Sequence, residues 1–146
     1  MACTFRARDE GHTAPAAVLL FSPWVDASMT NPDIAAIARH DPMLGSGGLI
    51  WAAQRRAGSR ATTDPWISPL NDTLEHLPQI AVFQGGTDIF APDAKRFVEK
   101  ANAAGTSGEF HLYPDAFHVF IGAPQLPEAH EALNRAADII AAATTK

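Results

Sequence analysis

Apolar positions along this chain gather into short runs that lack alternation and longer stretches with helical spacing. Ala16 to Phe21 is a wholly apolar run bounded by Pro15 and Pro23, the pattern of a strand buried on both faces of a sheet. Ile80 to Gln84 repeats that pattern. Phe110 to Tyr113 is shorter and mixed, stops at Pro114, and reads as an outer strand. Between the last two runs, Ala94, Phe97, Val98, Ala101 and Ala104 recur at spacings of three and four from Pro92 onward, which makes one helical stripe facing a sheet. Gly105 ends it. From Pro127 to Ala143 a second stripe of Ala129, Ala132, Leu133, Ala136, Ala137 and Ile140 predicts an amphipathic terminal helix.

The remaining segments are polar or broken by glycine and proline. Residues 1–15 read as an entry loop. Residues 16–26 carry the first strand and its loop, and 27–78 form a long crossover with two helical pieces. The first runs from Pro32 to Arg39, with Asn31 as a candidate N-cap, and the second from Gly48 to Ala57, closed by Gly58. A crossover of this length exceeds what one helix needs to join parallel strands, so it is expected to line a site as well. Trp24, Trp51 and Trp66 are expected to pack it. Strand, long crossover, strand, helix, strand, helix is the order of an α/β fold: a parallel sheet covered on both faces in a single domain. Ligands bind beyond the carboxyl ends of such strands. Those ends carry Asp26, Asp88 and His118.

Composition narrows the function classes without choosing one. With 47% hydrophobic residues, 18% charged residues and a formal charge of -5, the chain has no basic stripe for nucleic acid. No apolar run approaches the roughly 18 residues of a membrane span, and charges at Arg6, Arg8, Asp9 and Glu10 stand where a signal peptide has its apolar core. A cytoplasmic location is the expectation. Cys3 is the single cysteine, which excludes an internal disulfide and a thiolate cluster.

The chemistry converges on two turns. Asp88 follows the second strand after Gly85-Gly86-Thr87, where the glycines are expected to let the backbone turn sharply. It is either a turn or helix N-cap carboxylate, or the group that orients a histidine. His118 follows the third strand inside Asp-Ala-Phe-His-Val-Phe; it is either a packed core histidine or a general base. No Gly-x-Ser-x-Gly elbow occurs. Gly45-Ser46-Gly47-Gly48 follows no strand and reads as a helix entry. A metal site built from His111, His118, Asp115 and Asp88 fits no familiar zinc spacing, and no phosphate-binding or dinucleotide fingerprint is present, so neither a metal nor a cofactor is expected.

Five blocks in order resemble the hormone-sensitive-lipase-like carboxylesterases of the α/β-hydrolase fold. They are Ser22-Pro23-Trp24-Val25-Asp26, His40-Asp41-Pro42-Met43-Leu44, Asp64 to Leu70, Leu77-Pro78 before the strand that leads to Gly-Gly-Thr-Asp88, and Tyr113 to Phe120 with His118. The resemblance implies a serine-type hydrolase of small carboxylic esters, with Asp88 as triad acid and His118 as triad base. It implies a crossover that contributes to the acyl pocket, and a substrate pocket touching Trp24, Asp26, Ile89, Phe90 and Val119. In that family the nucleophile elbow and the glycine-rich oxyanion loop precede the strand matching Ala16 to Phe21. The chain therefore resembles the C-terminal half of such an esterase, with about three parallel strands and flanking helices, whether truncated, frameshifted or split. On that reading the first strand has an unpaired apolar edge, which invites self-association or a partner chain. A non-catalytic interaction module is the alternative.

Overall fold

The computed structural model describes residues 1–145. The elements follow as α1 (Ala2–Asp9), β1 (Ala17–Phe21), α2 (Ile34–Ile37), α3 (Ser46–Ala57), β2 (Gln79–Gly85), α4 (Ala91–Ala103), β3 (Gly108–Tyr113) and α5 (Pro127–Thr144). Short 3₁₀ turns occupy Pro69–Asn71 and Phe120–Gly122. The strands form one parallel sheet in the order β1-β2-β3. Phe21 lies opposite Phe83 and Gly85 opposite Tyr113, so all three carboxyl ends emerge along one side.

Strand alternation divides the core in two. On one face of β2, Ile80 and Val82 meet Ala94, Phe97, Val98 and Ala101, the stripe expected of α4. On the other, Ala81 and Phe83 meet Ala129, Ala132, Ala136 and Ile139 of α5. Phe83 and Phe97 are wholly buried, each contributing about 1.5–3 kcal/mol of hydrophobic stabilisation. The α/β architecture read from the sequence is the one observed.

Some local expectations change. The 1–15 segment opens with α1 rather than a loop: Phe5 is buried beside Val25, Leu70 and Leu74, with Met1 packed on the same cluster, an i, i+4 pair too short to register as a periodic pattern. Arg8 fixes this helix by donating to the Thr73 carbonyl at 2.6 Å. The first crossover helix is shorter than Pro32 to Arg39, beginning at Ile34 after a turn at residues 32 and 33. Asn31 Oδ1 accepts from the Asp33 amide, two residues on, as an N-cap side chain does, while its Nδ2 donates to Asp93. Trp51 and Trp66 do not pack the crossover; they are 64% and 52% exposed. β1 is partly exposed at all five positions, because no strand covers its outer edge.

Gly85 and Gly86 also work differently from the expectation, since neither has a positive φ. Their need is space. A Cβ on Gly85 would collide with the Ala116 and Phe117 carbonyl oxygens, and one on Gly86 with the Pro114 backbone. The turn after β2 thus lies directly against the turn after β3. Gly85→Ala is expected to destabilise the fold by about 1–3 kcal/mol through overpacking against backbone. Gly47→Ala, in α3 with open space around it, should gain up to about 1 kcal/mol from helix propensity. Urea unfolding of the two variants checks the contrast.

Candidate active site

The contact between those two turns brings Asp88 and His118 together. Asp88 is wholly buried. Its Oδ1 accepts from the Phe90 amide at 2.9 Å, and its Oδ2 accepts from Gln84 Nε2 at 2.7 Å and lies 3.0 Å from His118 Nδ1. The turn-bracing role and the histidine-orienting geometry therefore coexist, one on each carboxylate oxygen. A carboxylate only accepts, so its partner Nδ1 carries the proton and Nε2 keeps its lone pair. That is the arrangement a general base requires.

The His118 side chain is one-fifth exposed, and the Phe90 ring meets it edge-on at 5.5 Å between centroids. Trp24 stacks on the other side of Phe90 at 5.2 Å and donates from Nε1 to the Asp26 carbonyl. Trp24, Phe90 and His118 thus form one aromatic file. Val119 stands exposed beside it, whereas Ile89 is wholly buried and packs with Ile34. Asp26 Oδ1 accepts from the Ser28 amide and lies 3.2 Å from Ser68 Oγ, bracing its own loop against the crossover. His111, on β3, stacks on Phe83 at 4.7 Å, and no group of three His, Cys, Asp or Glu that could hold a metal occurs among the described residues.

Three supports escaped sequence reasoning. Gln84 is a buried amide on β2 whose Nε2 donates to Asp88, while its Oε1 has no protein partner. Its signal was a polar residue ending an apolar strand four positions before the acid. Asp41 reaches from the crossover to accept from the Ile89 amide at 2.8 Å, and also from Met43 and Leu44 amides. Ser22, just past β1, accepts through Oγ from the Val119 amide at 2.9 Å; it opens the first of the five blocks, which gave it a place but no role.

A family model described as alpha/beta hydrolase fold matches residues 1–122. The chain belongs to the alpha/beta hydrolase fold family. This hydrolase-fold chain is 32% identical to an esterase of Acinetobacter venetianus over 99% of its own length and 48% of the relative's. It is 29% identical to an acetyl-hydrolase of Streptomyces hygroscopicus over 94% of its length and 46% of that protein's. The solved structure of an esterase from the bacterial hormone-sensitive lipase family superposes with a TM-score of 0.91 at 30% identity, over 95% of this chain and 47% of that one. The resemblance to hormone-sensitive-lipase-like esterases stands. The chain spans about half the length of the curated relatives it matches. No helix among the described residues is long and apolar enough to cross a membrane.

Behind the acid turn, Asp93 Oδ1 accepts from Asn31 Nδ2 at 2.7 Å and from Arg96 at 3.2 Å. Burial raises its pKa above the ordinary carboxylate value, against the lowering effect of those donors. The folded state then holds a proton that the unfolded chain has released, so this group's contribution is full below the unfolded pKa and is lost as pH rises through the folded one. The stability of wild type relative to Asp93→Asn is expected to be greatest in acid and to fall as pH rises across that window, read from urea unfolding at a series of pH values.

Proposed function

We propose that this chain carries the acid and base of a carboxylic ester hydrolase, with the nucleophilic serine and oxyanion donors supplied by residues outside it. The observation that carries the reading is the 3.0 Å contact of His118 Nδ1 with a fully buried Asp88 carboxylate. Relatives named esterase and acetyl-hydrolase support it. In the proposed reaction His118 Nε2 takes the proton from an attacking serine hydroxyl, Asp88 stabilises the imidazolium, and the proton passes to the leaving alkoxide. Water then attacks the acyl ester, with the same imidazole as base. No metal or cofactor is called for. Trp24 and the exposed Val119 beside His118 are the proposed wall facing a small ester, with the buried Phe90 packed behind them and the crossover at 27–78 as outer support.

Within the chain, no serine hydroxyl is bonded to His118 among the described residues: Ser22 is engaged by Val119, and Ser68 is buried between the Ala27 amide and the Thr62 carbonyl. An orienting acid and a base without nucleophile or oxyanion donors retain little rate enhancement. Assayed with p-nitrophenyl acetate, the chain alone is expected to show no turnover above that of His118→Ala. Robust turnover that disappears in His118→Ala would refute the missing nucleophile.

A second reading follows from β1. Its residues Ala17 to Phe21 are all apolar, partly exposed, and paired on one side only. Beside them an open groove of about 480 Å³ runs between Leu20, Trp24, Val25, Trp66 and Ile67. We propose that this edge joins another chain, as one part of a split esterase or as a non-catalytic module. Light scattering after size exclusion is expected to show self-association of the isolated chain; a compact monomer across concentrations would count against it.

A further inference from the structure

Among the non-glycine residues with positive φ, Ser22 and Val119 stand out because a hydrogen bond joins them across 97 residues of sequence. Ser22 has φ 47° and Val119 φ 54°. For a β-branched side chain such a backbone is a genuine outlier, which persists only where its surroundings hold it there. The Ser22 amide donates to the Phe83 carbonyl at 2.9 Å, extending the β1–β2 ladder by one bond before the chain turns away. Its hydroxyl, on a residue only 5% exposed, accepts from the Val119 amide at 2.9 Å. Val119 is the residue after His118 and opens the 3₁₀ turn, its carbonyl accepting from the Gly122 amide.

We infer that Ser22 is a positioning residue for His118, acting through the strained amide of Val119. The loop that carries the imidazole is held at two points. Upstream, the Ala116 carbonyl accepts from the Thr87 amide and from Thr87 Oγ1, which ties it to the turn after β2. Downstream, Ser22 ties it to the end of β1. His118 lies between the two anchors. Without Ser22 the left-handed His118–Val119 step is held only by the local bond from the Gly122 amide and by the buried Phe120 that follows it, and relaxation of that strained step moves the imidazole relative to Asp88 Oδ2. Ser22 stops that movement. Its hydroxyl is therefore committed to backbone, which agrees with its not serving as a nucleophile. The inference rests on the acid–base reading only for the importance of His118; the coupling itself is a property of the loop.

The test uses the full chain and long-range ¹H–¹⁵N spectra of the histidines, above the pH at which they titrate, to read the fraction of His118 with its proton on Nδ1. Ser22→Gly accommodates the left-handed backbone without strain and removes the hydroxymethyl side chain, and with it the bond to Val119. It is expected to lower the Nδ1–H to Nε2–H ratio of His118 by roughly three- to tenfold, the equilibrium size of one net hydrogen bond. Adding Val119→Gly, which makes the left-handed conformation free of steric cost, should restore the ratio to near wild type, an outcome that loss of a merely structural contact would not produce. An unchanged ratio in Ser22→Gly, or a double variant no better than the single one, overturns the inference. Should Ser22→Gly fail to fold, the double variant decides: folding with a wild-type His118 supports the coupling and failure to fold overturns it. Asp88→Asn separates the two readings, because a wild-type ratio indifferent to that substitution defeats the acid–base assignment whatever Ser22 does.

Discussion

A carboxylate with no exposure must be satisfied by fixed donors, and around Asp88 that requirement organises the ends of β2 and β3. Its donors come from the start of α4 (Phe90 amide), from β2 itself (Gln84) and from the loop after β3 (His118). Leaving a buried charge short of a partner costs about 3–5 kcal/mol, so each donor is under strong pressure to stay in place. Gln84 achieves this while its own Oε1 stays unpartnered, a local cost accepted where the carboxylate gains. The glycines at 85 and 86 serve the same end, because only a backbone without Cβ lets the turns after β2 and β3 touch.

The long crossover is held to that centre by polar clips rather than by broad apolar packing. Asp41 bonds the amide next to Asp88, Asn31 bonds Asp93 at the first turn of α4, and Asp26 with Ser68 closes the loop after β1. Each clip is directional, so it fixes register as well as proximity. Two exposed tryptophans fit this scheme: with polar clips in charge, Trp51 and Trp66 are not needed inside. Asp93 shows the tension in the design, since burial raises its pKa even with two donors on one oxygen.

Much of the scaffold was readable in the sequence because repetitive geometry leaves repetitive patterns. The stripe Ala94, Phe97, Val98, Ala101 and the unalternating strand β2 appear in the core as read, and Gly58, with φ of 59°, closes α3 at the surface as expected. Pairing of Asp88 with His118 was inferable because both residues follow parallel strands and so share an end. What stayed hidden depends on single long-range contacts. α1 rests on Met1 and Phe5 finding one cluster, and Asn31 adds to its capping bond with the Asp33 amide a second bond to Asp93, 62 residues away. Asp26 stood at the correct end of the sheet, yet its Oδ1 is engaged by Ser28 and Ser68 within its own loop and the crossover, a choice that spacing cannot encode.

The contacts that orient the acid–base pair are all internal to this chain, and those that proposed ester hydrolysis further requires are of a different kind. Gln84, Ser22, Thr87 and the Phe90 amide act on Asp88 or the His118 loop through hydrogen bonds that close within the described residues. A solved esterase superposes on this chain with a TM-score of 0.91 over 47% of its own length at 30% identity, so the two share a backbone path where most side chains differ. Orientation of an imidazole and delivery of a nucleophile are thus separable properties of the fold. The first is met by hydrogen bonds within the chain, whereas on the proposed reading the second depends on what meets the open, apolar side of β1. The proposed split of labour then asks a partner only to bring a hydroxyl within reach of His118 Nε2, because the contact of Nδ1 with Asp88 is already made inside the chain.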